Sequence, residues 1–218
     1  MDFKNKRILI TAGPTWVPID NVRVISNTAT GQTGILLSEK LRKLGAKVTL
    51  VLGPVADKTV DKGIKVIRFC FFDEFKKVVI SELEKHKYNA VIHSAAVSDY
   101  KPKKVYSQKI KSGINNLQII LKPTPKIINL IRRIDSSLFL VGFKYELGIT
   151  KKGLLTRAGN LNKRLNPGLT VANTIRGNRY EAYIMNKQTV SGPFREKNKM
   201  ADGLLIMIGK YLCLKRHY

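Results

Sequence analysis

Short apolar runs alternate with segments of helical periodicity along this chain, and that alternation limits its fold more than any other feature of the sequence. The first run, Arg7–Ala12, ends in Gly13-Pro14, as a buried parallel strand should. A second run, Lys47–Leu52, is closed by Gly53-Pro54 in the same way. Further strands are predicted at 64–69, 89–94, 117–121, 138–143, 169–172 and 181–185.

Amphipathic segments lie between these runs. Leucines recur at helical spacing within 34–44, and Gly45 supplies a carboxyl-terminal stop. Apolar residues within 75–83 indicate a second helix, for which Asp73 is the expected amino-terminal cap. Helices are also predicted at 126–134, in the polar segment after Phe143, and through 204–214.

Strands that alternate with helices predict an α/β fold, a doubly wound Rossmann-like parallel sheet with helices on both faces. With 218 residues the chain is long enough for one such core, so we expect a single domain over 1–218. Ligands of such sheets bind beyond the carboxyl ends of the strands. This rule selects the segments 13–34, 94–112 and 143–165 as candidate site segments.

The connection 13–34 is far longer than the usual connection of about two to six residues, and such connections are commonly functional. Gly31-x-x-Gly34 at the helix start offers backbone N–H groups and a positive dipole end, which suit a phosphate. It is neither a dinucleotide fingerprint nor a Walker loop, and an ordinary glycine turn is the alternative. Neutral donors precede it, namely Ser26, Asn27, Thr28 and Thr30.

Small residues follow the predicted strand 89–94 and would let a ligand approach the backbone closely. Ala95 and Ala96 come first, and Asp99 adds an acceptor, although Asp99 capping a tight strand exit is the alternative. The polar stretch 99–113 has little apolar periodicity, so we predict a flap there. Within it Lys109 and Lys111 share a face if the chain is extended, but an isolated lysine pair is commonly just solvated.

The charge is unusual, because 40 Lys and Arg residues against 15 Asp and Glu give a formal +25. A nucleic-acid-binding module would explain it. The basic residues are spread over almost the whole chain, however, so a solvated basic surface is favoured and we expect no nucleic-acid partner. No apolar run approaches the roughly 20 residues of a membrane span, and no signal peptide is visible. Cys70 and Cys213 lie in apolar contexts and fit reduced core thiols better than a disulfide framework, so we expect a cytoplasmic protein.

Several short motifs occur in one fixed order. They are ITAGPT (10–15), IDNVRVISN (19–27) with Gly-x-x-Gly close behind, SAAVSDYKP (94–102), KIK (109–111), KPTP (122–125) and VGFKYE (141–146). Together they resemble the synthetase half of the pantothenate-metabolism flavoprotein family, phosphopantothenate–cysteine ligase. The resemblance extends over roughly residues 5–210, essentially the whole chain.

The resemblance implies an enzyme of coenzyme A biosynthesis. Such enzymes join the carboxylate of 4′-phosphopantothenate to a nucleotide, CTP in most bacteria and ATP in eukaryotes, with loss of pyrophosphate. The amine of cysteine then attacks the acyl nucleotide to give the amide. The resemblance further implies Mg²⁺ with the nucleotide, no flavin, a homodimer, and a separate flavin-dependent decarboxylase for the next step.

The resemblance also implies roles for individual residues. Asn27 and Lys109 are the catalytic candidates, Asn27 at the acyl-nucleotide group and Lys109 at the triphosphate. Arg23 lies in a segment that approaches the dimer partner in this family, and no protein ligand for the metal is assigned. Nucleotide-binding roles are implied for Gly13, Gly31, Gly34, Ala95, Ala96, Asp99, Lys122, Pro125 and Phe143, with Arg157 and Lys163 as candidates for the second pair of basic residues.

The chain departs from the family pattern at three positions. Ala29 replaces a usual serine, Gln32 stands where a basic residue is expected, and Ser112 replaces the third lysine of the flap motif. A short-chain dehydrogenase is a rival hypothesis, because Tyr100-x-x-x-Lys104 matches its catalytic pair. That pair must lie one helical turn apart, and Pro102 between them would break the helix.

Overall fold

An eight-stranded sheet organises the residues that the computed structural model describes, 2–56 and 59–214. Within these described residues, no helix is long and apolar enough to cross a membrane. The strands are β1 (Arg7–Ala12), β2 (Trp16–Pro18), β3 (Val24–Ser26), β4 (Lys47–Leu52), β5 (Lys65–Arg68), β6 (Ala90–His93), β7 (Tyr100–Pro102), β8 (Leu121–Pro123), β9 (Phe139–Leu147), β10 (Leu169–Arg176), β11 (Arg179–Met185) and β12 (Val190–Phe194). The helices are α1 (Gln32–Lys43), α2 (Phe72–Lys85), α3 (Ile127–Ile134), α4 (Lys151–Leu165) and α5 (Lys197–Leu214).

The main sheet has the strand order β12-β11-β10-β9-β6-β1-β4-β5. Every neighbouring pair from β5 to β10 is parallel, which confirms the predicted parallel α/β sheet. β11 and β12 are antiparallel to their neighbours and extend one edge. Only residues 177–178 separate β10 from β11, far fewer than the dozen or more that a parallel crossover needs. The strand predicted at 181–185 therefore belongs to a hairpin.

Helices cover both faces of the sheet, as predicted, and the alternation of β1 decides which face each helix covers. Ile10 packs in one buried cluster with Leu37 of α1 and Leu204 of α5. Leu9 packs on the opposite face with Phe75 of α2 and with α3. Burial of each such side chain contributes about 1.5–3 kcal/mol, so a register shift of one residue in β1 would disrupt both clusters.

The connection 13–34 contains a hairpin of its own. β2 pairs antiparallel with β3, with Trp16 opposite Ser26. The Trp16 N–H donates to Cys70 O at 2.8 Å, which ties the hairpin to the start of α2. The hairpin therefore holds the residues between its strands, 19–23, at a defined place beside the sheet.

The strand predicted at 117–121 is wrong. The chain becomes a strand only at Leu121, and β8 pairs antiparallel with β7 in a separate two-stranded ribbon. Leu117 and Ile120 are 44% and 70% exposed. Apolar content alone does not provide a strand with a partner, and in the main sheet β6 is already paired with β1 and β9.

The predicted cap of the second helix is also wrong. Glu74 caps α2, because its carboxylate accepts from the N–H groups of Cys70 and Phe71 at 2.8 and 3.3 Å. Asp73 instead pairs with Lys101 of β7 at 3.0 Å. A carboxylate in the first turn can reach back to the preceding N–H groups, and the local sequence did not distinguish the two acids.

Candidate functional site

The candidate site begins where β1 and β6 end side by side. Thr11 of β1 is in register with His93 of β6, so the two segments that follow leave the sheet together. The Ala96 N–H donates to Gly13 O at 2.9 Å. The structure therefore brings together two residues, Gly13 and Ala96, for which the resemblance implies nucleotide binding.

Gly31 and Gly34 place the start of α1 against this junction. Gly31 precedes the helix with a φ of 66°, a left-handed conformation that glycine adopts without strain. A side chain at Gly34 would put its Cβ 2.3 Å from Ala12 Cβ and 3.0 Å from Ser94 Oγ. The helix start thus lies directly on β1. Its first turn contains no acidic residue, and its backbone N–H groups can receive an anion.

Asn27 connects the first and second site segments. Its Nδ2 donates to Ala96 O at 3.0 Å, and the Thr15 N–H approaches the same carbonyl at 3.4 Å. The Asn27 side chain is otherwise exposed. Because a primary amide has two N–H groups and an oxygen, Asn27 keeps one donor and one acceptor that can bind a ligand.

Three buried hydroxyl residues, Thr15, Ser98 and Thr124, join the segments beneath this surface, and we call them the hydroxyl junction. Thr15 Oγ1 accepts from the Ser98 N–H at 2.9 Å, and Ser98 Oγ donates to Thr15 O at 3.0 Å. Thr124 Oγ1 donates to Ser98 O at 2.6 Å. These residues are 7% exposed or less. Buried polar groups are stable only when bonded, so the junction fixes three segments in one arrangement.

The residues predicted at 99 and 122–125 form an exposed rim beside the junction. The Asp99 carboxylate binds Lys126 Nζ at 2.6 Å, and no turn cap by this side chain is seen. Its backbone oxygen accepts from the Thr124 N–H at 2.9 Å. Lys122 and Pro125 lie on either side of Thr124 in the sequence, and both are exposed. The structure thus brings Asp99, Lys122 and Pro125 to one surface.

Lys109 lies in the predicted flap, exposed and next to the buried Ile110. Arg23 Nη1 donates to Asp20 Oδ2 at 2.8 Å and to Ile110 O at 3.2 Å, so the structure places Arg23 beside this segment. Asp20 itself was not predicted from the sequence. An aspartate whose carboxylate accepts from N–H groups two and three residues ahead forms a recognisable turn, but its distant partner leaves no local signal.

The third segment, 143–165, contributes unevenly. Phe143 is half-buried just past the last residue of β9 that pairs with β6. Arg157 binds Glu146 Oε2 at 2.5 Å, and this hydrogen bond is the main cause of a lowered Glu146 pKa. Lys163 lies in the last turn of α4, about 18 Å along the helix from its first residue at 1.5 Å per residue. The neighbouring Asn162 accepts a hydrogen bond from Thr170 of β10, which is in register with Gly142, the last residue of β9 that pairs with β6, so this turn of α4 lies at the level where β6 ends.

Two buried ionisable side chains, His93 and Asp20, lie next to the candidate site residues. Burial lowers the pKa of His93 to about 4, so the ring is neutral at pH 7, and Thr11 Oγ1 lies 2.9 Å from its Nδ1. The pKa of Asp20 is lowered to about 2, first by the N–H of Ile110 and then by the N–H groups of Val22 and Arg23. Neither residue was predicted, because burial by distant elements is not encoded locally.

The dehydrogenase hypothesis is contradicted by the backbone. Tyr100 begins the short strand β7, and Lys104 lies beyond the end of that strand. The two side chains therefore do not share a helical turn. Within residues 2–56 and 59–214, no three His, Cys, Asp or Glu side chains come together as a metal site. The prediction of core thiols is wrong, because Cys70 is half-buried and Cys213 is exposed.

Comparison with known proteins agrees with the resemblance. Residues 3–211 match the family described as the DNA/pantothenate metabolism flavoprotein C-terminal domain. The chain is 37% identical over 175 residues to the coenzyme A biosynthesis bifunctional protein CoaBC of Thermococcus kodakarensis, covering 80% of this chain and 42% of that protein. It is 35% identical over 210 residues to CoaBC of Borreliella burgdorferi, with coverages of 93% and 52%.

Solved structures show the same relationship. The DNA/pantothenate metabolism flavoprotein from Streptococcus pneumoniae superposes with a TM-score of 0.83, at 27% identity, over 94% of this chain and 99% of that chain. The C-terminal domain of CoaBC gives a TM-score of 0.79 at 28% identity, over 96% and 97%. The chain spans about half the length of the two CoaBC relatives. The match over residues 3–211 agrees with the parallel sheet, the glycines at the start of α1 and the ordered motifs, and the chain belongs to the family of the DNA/pantothenate metabolism flavoprotein C-terminal domain.

Proposed function

We propose that this chain joins 4′-phosphopantothenate to L-cysteine through an acyl nucleotide, with release of pyrophosphate. One observation carries the proposal. In a chain of this family, Asn27 is hydrogen-bonded to Ala96 at the same end of the sheet as the glycine-flanked start of α1. The relatives named CoaBC are described as coenzyme A biosynthesis proteins, which supports the same pathway.

In the first step, a carboxylate oxygen of 4′-phosphopantothenate attacks the α-phosphorus of the nucleotide, and pyrophosphate leaves. The start of α1 receives phosphate oxygens at Gly31 and Gly34. Lys109 brings a positive charge to the triphosphate as negative charge moves onto the leaving group. No side chain has to act as a nucleophile, so the chain works by positioning and by electrostatic stabilisation.

In the second step, the amine of cysteine attacks the acyl carbon. The bond to the nucleoside monophosphate breaks, the departing phosphate keeps the electron pair, and the amine gives up a proton to water. The Asn27 amide donates to the carbonyl oxygen as negative charge grows there. A neutral amide cannot remove the proton from cysteine, so Asn27 acts by stabilising charge and not as a base.

We propose CTP rather than ATP as the nucleotide, following the bacterial members of the family. The nucleoside would lie against Ala95, Ala96 and Asp99, with Phe143 nearby; Lys122, Pro125 and Arg157 are further candidate contacts. Gln32, which stands where the family has a basic residue, accepts a hydrogen bond from Lys197 Nζ at 2.6 Å. The first residue of α5 therefore carries a positive charge to that position.

Mg²⁺ would accompany the triphosphate and offset its charge. Asp99, the exposed carboxylate of the rim, is already paired with Lys126. The phosphates and water would therefore supply most of the oxygen ligands that Mg²⁺ requires. We further propose a cytoplasmic homodimer, with a separate flavin-dependent decarboxylase acting on the product. The exposure of Val22, 63%, beside Arg23 supports a partner at the hairpin.

A pyrophosphate-release assay with CTP or ATP, each with and without 4′-phosphopantothenate, tests the proposal. We expect release only when both substrates are present, and faster release with CTP. Nucleotide turnover that ignores 4′-phosphopantothenate would contradict the ligase assignment. Binding to generic RNA in parallel should disappear near physiological salt, because only counterion release supports it.

A further inference from the structure

The exposed segment 103–120 contains a single buried residue. Every residue of this segment is exposed except Tyr106 and Ile119, which are partly covered, and Ile110, which is buried. Ile110 is 7% exposed and lies between Lys109 and Lys111. The position of the Lys109 ammonium relative to the rest of the site therefore depends on what holds Ile110.

Both backbone polar groups of Ile110 bind the turn between β2 and β3. The Ile110 N–H donates to Asp20 Oδ2 at 3.0 Å, and Ile110 O accepts from Arg23 Nη1 at 3.2 Å. Arg23 Nη1 also binds Asp20 Oδ2 at 2.8 Å. A second contact lies nearby, where the Tyr106 N–H donates to Ile19 O at 2.9 Å.

The two oxygens of the Asp20 carboxylate have different partners. Oδ1 accepts from the N–H groups of Val22 and Arg23 at 2.8 and 2.7 Å and so closes the turn of the hairpin. Oδ2 accepts from the Ile110 N–H and from the Arg23 guanidinium. The residue is 3% exposed, and a buried carboxylate is costly unless its oxygens are bonded. Oδ1 alone accepts from the backbone N–H groups of the turn, and Oδ2 is the oxygen that bonds to the segment 103–120.

We propose that Asp20 and Arg23 form a clamp on Ile110 that holds Lys109 at the mouth of the site, which makes Asp20 a positioning residue for Lys109. The Asp20–Ile110 hydrogen bond joins positions 90 residues apart in the chain. It links the hairpin, whose strand β3 leads into Asn27, to the segment 103–120. The clamp itself is independent of the proposed function, whereas its effect on catalysis rests on that function.

Limited trypsin digestion, with fragments identified by mass spectrometry, tests whether the clamp exists. Asp20→Asn keeps one oxygen for the turn and replaces the other by an N–H donor that opposes the Ile110 N–H. Cleavage after Lys109 and Lys111 should become faster by about tenfold or more, because local opening exposes those bonds. Asp135→Asn is the matched control. Asp135 also accepts from a nearby N–H group, that of Ser137, but it lies at the opposite end of the sheet, and its variant should cleave at the wild-type rate.

A substitution at Ile110 keeps the proposal testable if Asp20→Asn does not fold. Ile110→Ala leaves the Asp20 charge and the hairpin turn intact and removes only the buried side chain. It should increase cleavage at the same two sites even if Asp20→Asn does not fold. Cleavage at the wild-type rate in every folded variant would overturn the clamp.

A double-mutant cycle in the pyrophosphate-release assay tests the effect on catalysis. If Asp20 acts through Lys109, Asp20→Asn should slow activation about tenfold or more in the presence of Lys109 and have little further effect once Lys109→Gln is present. Independent, additive losses would assign Asp20 a merely structural role. If the wild-type chain releases no pyrophosphate, the proposed function fails, while the digestion still decides whether the clamp exists.

Discussion

The segments 94–99 and 103–120 both carry candidate site residues, yet they are held in opposite ways. Ser94 bonds to Thr11 of β1, and Ala96, Ser98 and Asp99 bond to the segment after β1 or to Thr124. The segment 103–120 has one buried anchor, Ile110. A site needs both kinds of segment, because groups that orient the reacting atoms must be fixed, whereas groups that enclose a ligand must admit it. Substitutions on the two sides should therefore differ in effect, and the largest loss is expected at a fixed residue.

Asn27 represents the fixed side of the comparison. Asn27→Ala should still form some acyl nucleotide but transfer it to cysteine slowly, at a cost of roughly 2.7–4 kcal/mol, the scale for losing one oxyanion-type donor. Rapid-quench analysis that follows nucleotide loss and amide formation separately would resolve the two steps. Asn21→Ala, in the exposed turn of the same hairpin, is the control and should be nearly silent. Equal slowing of both steps would leave Asn27 as a loop-shaping residue.

His93 tests whether the fixed side is sensitive to acid. The ring is neutral when folded, because burial lowers its pKa from 6.5 to about 4, while the unfolded chain takes up a proton below about 6.5. Stability should therefore be full above pH 6.5 and fall as the pH drops toward 4, by about 3 kcal/mol in all. Urea unfolding at several pH values measures this change. The slope between pH 6.5 and 4.5 should flatten in His93→Asn, and an unchanged slope would assign it to other groups.

Lys109 represents the exposed side. Lys109→Gln keeps the length of the side chain and removes its charge, so kcat/KM for activation should fall on the order of a hundredfold, about 2.7 kcal/mol. The melting temperature should hardly change, because exposed lysines contribute little to stability. Lys103→Gln changes another exposed lysine of the same segment and should retain its activity. Wild-type kinetics for Lys109→Gln would make it a solvated surface charge.

Thr124 tests the hydroxyl junction. Thr124→Val keeps the shape and removes the donor to Ser98 O, which should destabilise the chain by about 1–3 kcal/mol. Thr124→Ser restores a hydroxyl and should recover most of the loss in denaturant unfolding. If valine and serine give equal stability, the hydrogen bond contributes nothing and the junction is held by packing alone.

Asp73 should give the smallest effect. It pairs with Lys101 of the ribbon, but its side chain is 68% exposed. Exposed pairs contribute about 0–1 kcal/mol, so Asp73→Asn should change stability by less than about 1 kcal/mol. Glu74→Gln, at the true cap of α2, is the informative comparison and should be more damaging in thermal unfolding. The reverse order would mean that the ribbon is held by this ion pair.

Most of the fold was predictable because its signals are local. Apolar runs and leucine spacing located the parallel strands and α1, and parallel strands bring their carboxyl ends to one edge. Those two facts are enough to place the glycine pattern at 31 and 34 at the site. The run 117–121 is equally apolar, yet only its last residue belongs to a strand, β8, which pairs with β7 outside the main sheet.

The sequence by itself determined the parallel α/β architecture, the order of the motifs and the end of the sheet where they meet. Tertiary structure alone decided that Asp20 holds Ile110 and that Thr15, Ser98 and Thr124 hydrogen-bond to one another in the hydroxyl junction. The physical reason is range. Periodicity reports which face a residue presents to its own element, whereas these contacts join elements that are distant in the chain, and only their packing sets the burial and hydrogen bonding of each group.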